Sequence, residues 1–441
     1  MLYPLITEFQ EAMLESNTDS GLLSITPLAP EVYRANIRHF YIEITTMGFA
    51  FAMEWYYLNV YAIHLGATAL QLAVLTSGRA LLMTLGSGLA QRWQRRHPGP
   101  IQAISIPLIS ARLLLYLGIV FVPFLPSFQV DALVGLVLLS AIPTGISQGI
   151  FLGMLPGAVP KEVLARVVAR RAVLMNLGVL PCIMLLSQLL GWFPQPVNYQ
   201  IGFFISFLTS LISTWHIHRI KTIKRPKVAV HIKPINVWAN PRFRRFALLT
   251  VANQTGVFMA ASLIGLQLVR GLNASDGWIS LFGVCEMVAG IFVTFRLDWV
   301  IARFGTRRLI IVAGVAVTFQ TLILSLTPTL PLFIVGSLMF GSGWFSVNVL
   351  LYSRLVELFP QEDIGAYAAA FQLLVNGSLF LGPLIGTLLI EGGMTLPAAL
   401  LVITGVRLFA AFLAWAIKLT PQPQATLVDG PSALIRSNTT N

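Results

Sequence analysis

An all-helical membrane protein, with twelve transmembrane helices in two pseudo-symmetric six-helix bundles, is the fold this sequence predicts, and three observations predict it. A dozen stretches are continuously apolar and about 20 residues long, enough to cross a hydrocarbon core. Lys and Arg gather in every second gap between them. Short motifs of the first half return in the second. With 56% hydrophobic and 10% charged residues over 441 positions, the chain carries more apolar surface than a water-soluble core buries. Lipid is therefore the solvent for much of it. Every backbone N–H and C=O in lipid must be satisfied within its own segment or in a closed barrel. Barrel strands alternate in hydropathy and these runs do not, so they are helices.

The spans are expected near 38–63, 69–91, 101–123, 130–156, 167–191, 197–218, 244–269, 275–297, 308–327, 330–353, 365–389 and 396–417. The gaps after the second, fourth, sixth and eighth hold Arg92, Arg95 and Arg96; Lys161, Arg166, Arg170 and Arg171; the run from Arg219 to Arg245; and Arg296, Arg303, Arg307 and Arg308. The intervening gaps hold almost none, Arg270 being the exception. Positive residues mark the cytoplasmic side, so both termini are expected there. The resulting division is a cytoplasmic tail over 1–36, a six-helix bundle over 37–220, a basic linker over 221–242, a second bundle over 243–418 and a cytoplasmic tail over 419–441. Glu8, Glu11, Glu15, Asp19 and Glu31 precede any Arg, unlike the basic start of a secretory leader. The linker carries Lys221, Lys224, Arg225, Lys227 and Lys233 and suits an anionic leaflet.

A net charge of +12 would suggest nucleic acid in a soluble chain, but these charges sit beside apolar spans and set orientation, so nucleic acid is not a partner. Cys182 and Cys285 lie inside apolar stretches with no metal-like spacing, and no metal or other cofactor is expected. Gly145, Ser147 and Gly149 match G-x-S-x-G, but the strand-to-helix elbow is missing and every His lies at a membrane edge or in a loop. No enzyme is read here. No Gly-Lys-Ser/Thr phosphate loop occurs either.

Val159-Pro160-Lys161-Glu162, followed by Ala169, Leu174 and Asn176, recurs as Phe359-Pro360-Gln361-Glu362, Ala369, Leu374 and Asn376. Leu89 to Arg96 is echoed by Val300 to Arg308. Parallel six-helix repeats are a transporter architecture with the substrate site between the halves. On these residues the chain resembles the major facilitator superfamily over about 380 positions. The family's loop after helix 2 reads Gly-x-Leu-Ala-Asp-Arg-x-Gly-Arg-Lys/Arg. Leu89, Ala90, Arg92, Arg95 and Arg96 match it, whereas Ser87, Gln91 and Gln94 depart. In the second copy Arg303, Gly305 and Arg307 match, and Ala302 stands where the acid would be. The family's antiporters often place an Arg on helix 4 shortly before Gln-Gly; here Thr144-Gly145 precedes Gln148-Gly149. The resemblance implies a cytoplasmic gate at Arg92, Arg95, Arg96, Arg303, Gly305 and Arg307.

An ionisable group at mid-membrane is costly and marks function by default. Glu286, centred in the eighth span, is the first candidate for handling a proton or cationic substrate, and Glu54 on the first is the second. Glu43 shares a helix face with Glu54 but lies nearer the cytoplasmic end, where it is expected to be solvated. Arg112 and Arg407, on helices the resemblance makes peripheral, are expected in structural ion pairs. Asn253, Gln254, Gln148, Asn348, Gln372 and Asn376 can meet substrate or bond between helices. Gly145, Gly149, Gly153 and Gly157 form a stripe for close helix approach, and Gly382-Pro383 with Gly386 suggests a flexible or closely packed point.

These features read as a secondary active transporter of a small solute working by alternating access. It is expected as a monomer in a plasma membrane of the bacterial inner-membrane kind, with protons as the coupling partner. Phe51, Trp55, Tyr57, Phe258, Met259 and Trp344 lean toward export of a lipophilic or amphipathic compound. The alternatives are uptake of a neutral polar nutrient such as a sugar, or a lipid or pigment carrier or sensor on a transporter fold.

Overall fold

A computed structural model describes residues 28–97, 99–222, 236–326, 329–360 and 363–417. The expectations for most of both tails and most of the linker lie outside them. Among the described residues the chain forms twelve long helical rods. The first, α1, covers residues 30–64 as Pro30–Thr46, Gly48–Ala52, a π turn at Met53–Tyr57, and Leu58–His64. It is followed by α2 (Ala69–Arg96), α3 (residues 100–120, with a π turn at Leu113–Leu117), α4 (Gln129–Ala158), α5 (Lys161–Trp192) and α6 (Val197–His218). The second half holds α7 (Pro241–Phe258, Ala261–Leu266 and a π turn at Gln267–Gly271), α8 (Asp276–Phe304), α9 (Thr306–Leu326), α10 (Leu330–Leu358), α11 (Ile364–Glu391) and α12 (Leu396–Ala416). Eleven of these rods are long and apolar enough to cross a membrane, α7 among them despite its break after Phe258, and α1 is the twelfth, divided by a turn at Met47.

The starts follow local chemistry. Proline stands in the first turn of α1, α3, α7, α10 and α12, where its missing N–H costs nothing. Thr68 and Gln71 cap the start of α2 reciprocally, side chain to backbone in both directions. At their basic ends several helices outrun the expected spans. Arg166 rides on α5, ahead of the expected start at 167, and Arg303 on α8, beyond the expected end at 297, instead of lying in loops. Hydropathy reports only the lipid-bathed part of a helix, and Arg, Gln and Ala continue the backbone ladder into water.

The first helix of each half is broken, and each break is packed against the fifth helix of the same half. A Cβ on Gly48, just after the turn in α1, would collide with the Gly178 carbonyl of α5. A Cβ on Gly386 of α11 would collide with the carbonyl of Met259, where α7 breaks. Only glycine permits these approaches. Of the two readings of Gly382-Pro383 and Gly386, close packing is what the structure shows: α11 runs unbroken through Pro383, and Gly382 abuts Phe258. The α4 stripe is used in part. Gly145 meets the Met83 carbonyl and Gly149 meets Ala90, both on α2, whereas Gly153 has open space beside it because α4 has turned its face past α2 there. Gly341 repeats the arrangement in the second half against the Glu286 carbonyl.

The buried apolar core falls into three clusters whose placement defines the state. One continuous cluster joins both halves, from Tyr57, Leu72, Val137, Leu186 and Phe203 to Leu263, Phe282, Phe333 and Ile403. Toward the arginine-rich end it divides. Phe40, Ala103, Ile150 and Ile217 belong to a cluster of the first half alone, and Phe243, Leu297, Leu351 and Phe371 to a cluster of the second half alone. The halves are welded at the arginine-poor end and separate at the basic end.

Candidate functional site

Two carboxylates of α1 are neutralised inside the first half. Glu54, on the π turn, pairs with Arg79 of α2 and accepts a hydrogen bond from the Tyr116 hydroxyl at 2.8 Å. Tyr116 stands on the π turn of α3. A π turn adds one residue to the turn and re-aims side chains, and two such turns here bring the Tyr116 phenol onto the Glu54 carboxylate, which pairs with Arg79. Glu43 is only 4% exposed, correcting the expectation that it is solvated. Arg171 reaches it at 2.8 Å and Ser213 of α6 at 3.2 Å. The reason is that Arg171 turns inward from α5, its guanidinium over the Phe151 ring, and meets Glu43 on the neighbouring helix.

The two arginines expected in ion pairs instead tie helices together through backbone oxygen. Arg112 donates to the Ser210 carbonyl and, at 3.0 Å, to Ser213, which links it to Glu43. Arg407 donates to the carbonyls of Gly256 (2.9 Å) and Val257 (3.1 Å) on α7 and Val317 (2.8 Å) on α9. Among the described residues neither makes an ion pair within 4 Å. The break in α7 explains Arg407: the Ala260 N–H turns back to Val257, so the Gly256 carbonyl loses its helical partner and a guanidinium with five donors replaces it.

Glu286 is placed differently from Glu54. It accepts a hydrogen bond from Gln320 of α9 at 2.7 Å, and Arg407 lies within electrostatic range but is held by its three carbonyls. No cation stands within ion-pair distance of Glu286 among the described residues. Glu54 and Glu286 thus serve separate clusters in opposite halves.

The amides are brought together in part. Gln254 of α7 donates to Asn348 of α10 at 3.2 Å, and Asn348 donates to the Trp344 carbonyl at 2.8 Å. Trp344 packs edge-on against Phe258 with ring centres 5.5 Å apart. The side-chain oxygens of Asn253 and Gln254 are buried without a hydrogen-bond partner. Gln372 and Asn376 bond to each other along α11 at 3.2 Å. Gln148 is exposed on α4 and joins none of these groups. Tyr57 and Met259, read as cavity-lining, are instead buried at helix contacts.

The arginine-poor end carries a polar seal between the halves. The Tyr57 hydroxyl meets Ser280 of α8. The Tyr199 hydroxyl of α6 donates to Asp276 of α8 at 2.7 Å, and His64 stands 3.8 Å from the same carboxylate. Arg270 of α7 donates to the carbonyls of Ile63 (3.3 Å) and Ala67 (2.7 Å), and Thr387 of α11 to that of Ala69 (3.4 Å). At the basic end Arg92, Arg95 and Arg96 are exposed, Arg303 faces Trp299 of its own helix, and Arg307 reaches the Trp415 carbonyl of its own half. Gly305 ends α8 with φ at 78°, a left-handed turn that favours glycine. No described hydrogen bond there joins the halves.

Residues 40–383 match the Major Facilitator Superfamily. The chain belongs to that superfamily. It is therefore a secondary transporter of the major facilitator type, a family of transporters and not of enzymes. Solved structures agree in fold. A point mutant of the nucleoside transporter NupG superposes with a TM-score of 0.70 at 10% identity, covering 86% of this chain and 99% of that one. A bacterial homologue of the iron transporter ferroportin, in an inward-facing state, gives 0.67 at 15%, covering 87% and 98%. A D-xylose–proton symporter gives 0.61 at 12%, covering 88% and 96%. No curated protein matches the sequence.

In this superfamily member the seal is what sequence reading missed. Tyr199 and Asp276 come from different halves, and an acid beginning a helix after a short loop reads as an ordinary solvated residue. Tyr116 and Gln320 were equally silent, because one polar residue in an apolar span shows nothing of the partner it faces.

Proposed function

We propose that this protein moves a small solute by rocking its two halves about a site between them, that the state described is open toward the cytoplasm, and that Glu286 carries the coupling proton. The division of the apolar core, continuous at one end and split at the other, is the observation that supports this reading. We read the basic end as cytoplasmic from its Lys and Arg; the seal is then outside, both termini are inside, and the chain works in a plasma membrane as a monomer. Arg92, Arg95, Arg96, Arg303, Gly305 and Arg307 form the gate that closes when the seal opens.

Charge accounting selects the proton carrier. Glu54 and Glu43 each face a guanidinium, whereas Glu286 faces an amide. An unpaired carboxylate in hydrocarbon costs several kcal/mol more than a carboxylic acid, so a proton gained and lost there changes which conformation is favoured. The Phe258–Trp344 pair beside the Gln254–Asn348 amides suits an amphipathic solute, and export is the direction we propose. The buried, unpartnered oxygens of Asn253 and Gln254 favour a second reading, uptake of a neutral polar nutrient whose hydroxyls they would accept.

The test is transport in proteoliposomes, with solutes first chosen by the thermal shift they induce. Glu286→Gln is expected to abolish dependence on the proton gradient while leaving solute binding within about threefold, a change under about 1 kcal/mol. Gradient-driven accumulation that survives in Glu286→Gln would remove Glu286 from the coupling step. Selective shifts with sugars in place of amphipathic compounds would favour uptake.

A further inference from the structure

The strongest feature beyond the transport reading lies at the basic end, between α9 and α12, and shares only Arg307 with the proposed gate. A cavity of about 410 Å³ opens there, lined by Arg307, Arg308, Ile311, Trp415 and Ala416. Arg307 spends one amino group on the Trp415 carbonyl, while its Nε is buried without a hydrogen-bond partner. Arg308 is exposed and makes no hydrogen bond or ion pair among the described residues. Glu357 accepts from Thr306 at 2.7 Å and Arg354 at 2.6 Å, and pairs with neither arginine of the cavity. Ile311, Trp415 and Ala416 make the rest of the wall apolar; Trp415 is 61% exposed, and outside the cavity its ring neighbour Phe412 is 53% exposed.

We propose that this cavity binds the phosphate diester headgroup of an anionic phospholipid. Two uncompensated guanidinium groups supply the charge, and the unpartnered Nε of Arg307 supplies a donor that only an incoming acceptor can satisfy. Trp415 and Phe412 lie in the last two turns of α12, where aromatic side chains favour a membrane boundary, and Ile311 adds apolar wall for an acyl chain. A headgroup here bridges α9 to α12 and braces the arginine-rich end of the second half. The inference rests on the helices spanning a membrane and on nothing about solute, direction or coupling.

The experiment titrates the purified full-length chain, in neutral detergent, with phosphatidylglycerol, phosphatidylcholine or inorganic phosphate, and reads the apparent melting temperature. Phosphatidylglycerol is expected to raise it in a saturable way and the other two are not. Arg307→Gln and Arg308→Gln are each expected to raise the half-saturating lipid concentration about fivefold, the effect of one arginine near an anionic surface. Arg308→Gln removes no contact of the fold, so its result stands even if Arg307→Gln folds poorly. Arg244→Gln, at the exposed start of α7, is expected to titrate as the wild type. Wild-type titration by Arg308→Gln, equal weakening by Arg244→Gln, or an equal shift from inorganic phosphate would each overturn the proposal.

Discussion

The two ends of this transporter are built from the same kinds of residue and used in opposite ways. At the arginine-poor end Tyr57, Tyr199, His64, Asp276 and Arg270 reach across the halves, and the apolar core runs through without a gap. At the basic end the charges are more numerous, yet Arg303, Arg307, the Arg171–Glu43 pair and the Arg354–Glu357 pair each make these contacts within one half. The difference teaches where the conformational energy is stored. A seal made of a few hydrogen bonds and one carboxylate is worth a few kcal/mol, which binding of a solute or a proton can offset. A seal made of buried ion pairs such as Glu54 with Arg79 could not be opened so readily, and those pairs stay inside one half.

Breaking the outer seal at its carboxylate has the largest expected effect. Asp276→Ala takes the acceptor from Tyr199 and the partner from His64, and is expected to disfavour the outer-closed state by about 2 kcal/mol, roughly a thirtyfold shift. Alkylation of a single cysteine at Ala274→Cys, a buried position beside the seal, in a chain otherwise free of cysteine, is expected to speed up accordingly. Replacing Arg270 with Met removes bonds to two carbonyls, of which that of Ile63 also accepts from the Gly66 N–H, so about 1–2 kcal/mol is expected in the same assay. Tyr57→Phe removes one hydroxyl shared by Ser280 and the Ile183 carbonyl, for about 1 kcal/mol. At the other end Arg303→Gln is expected to leave thermal stability within about 0.5 kcal/mol while slowing transport, because Arg303 has no partner in the other half to lose in this state. A large stability loss there would show that the ends are not as different as described.

The spans, their number and the repeat were legible because continuous apolarity and recurring motifs survive without any knowledge of packing. Helix ends were less so, with α5 starting at Lys161 and α8 running to Phe304; and hydropathy along one segment could not show that Arg171 of α5 turns onto Glu43 of α1. Turns inside helices left no mark either, since Met53–Tyr57 contains neither Gly nor Pro, yet this π turn sets where Glu54 points. The mid-membrane acids were visible one by one as costly residues. Which of them had a counter-charge was a property of neighbouring helices, and only the fold distinguishes Glu54 beside Arg79 from Glu286 beside Gln320.

The most direct test of alternating access is a pair of spin-label distances measured on one background. One pair, at Phe128 and Met394, reports the outer end, and a second, at Gln94 and Ala302, reports the cytoplasmic end. In the wild type each pair is expected to give one dominant distance, short outside and long inside. Asp276→Ala is expected to add a second population in which the outer distance lengthens as the inner one shortens. If the outer pair widens while the inner pair stays fixed, or if neither moves, the halves do not rock about a central site and the account fails.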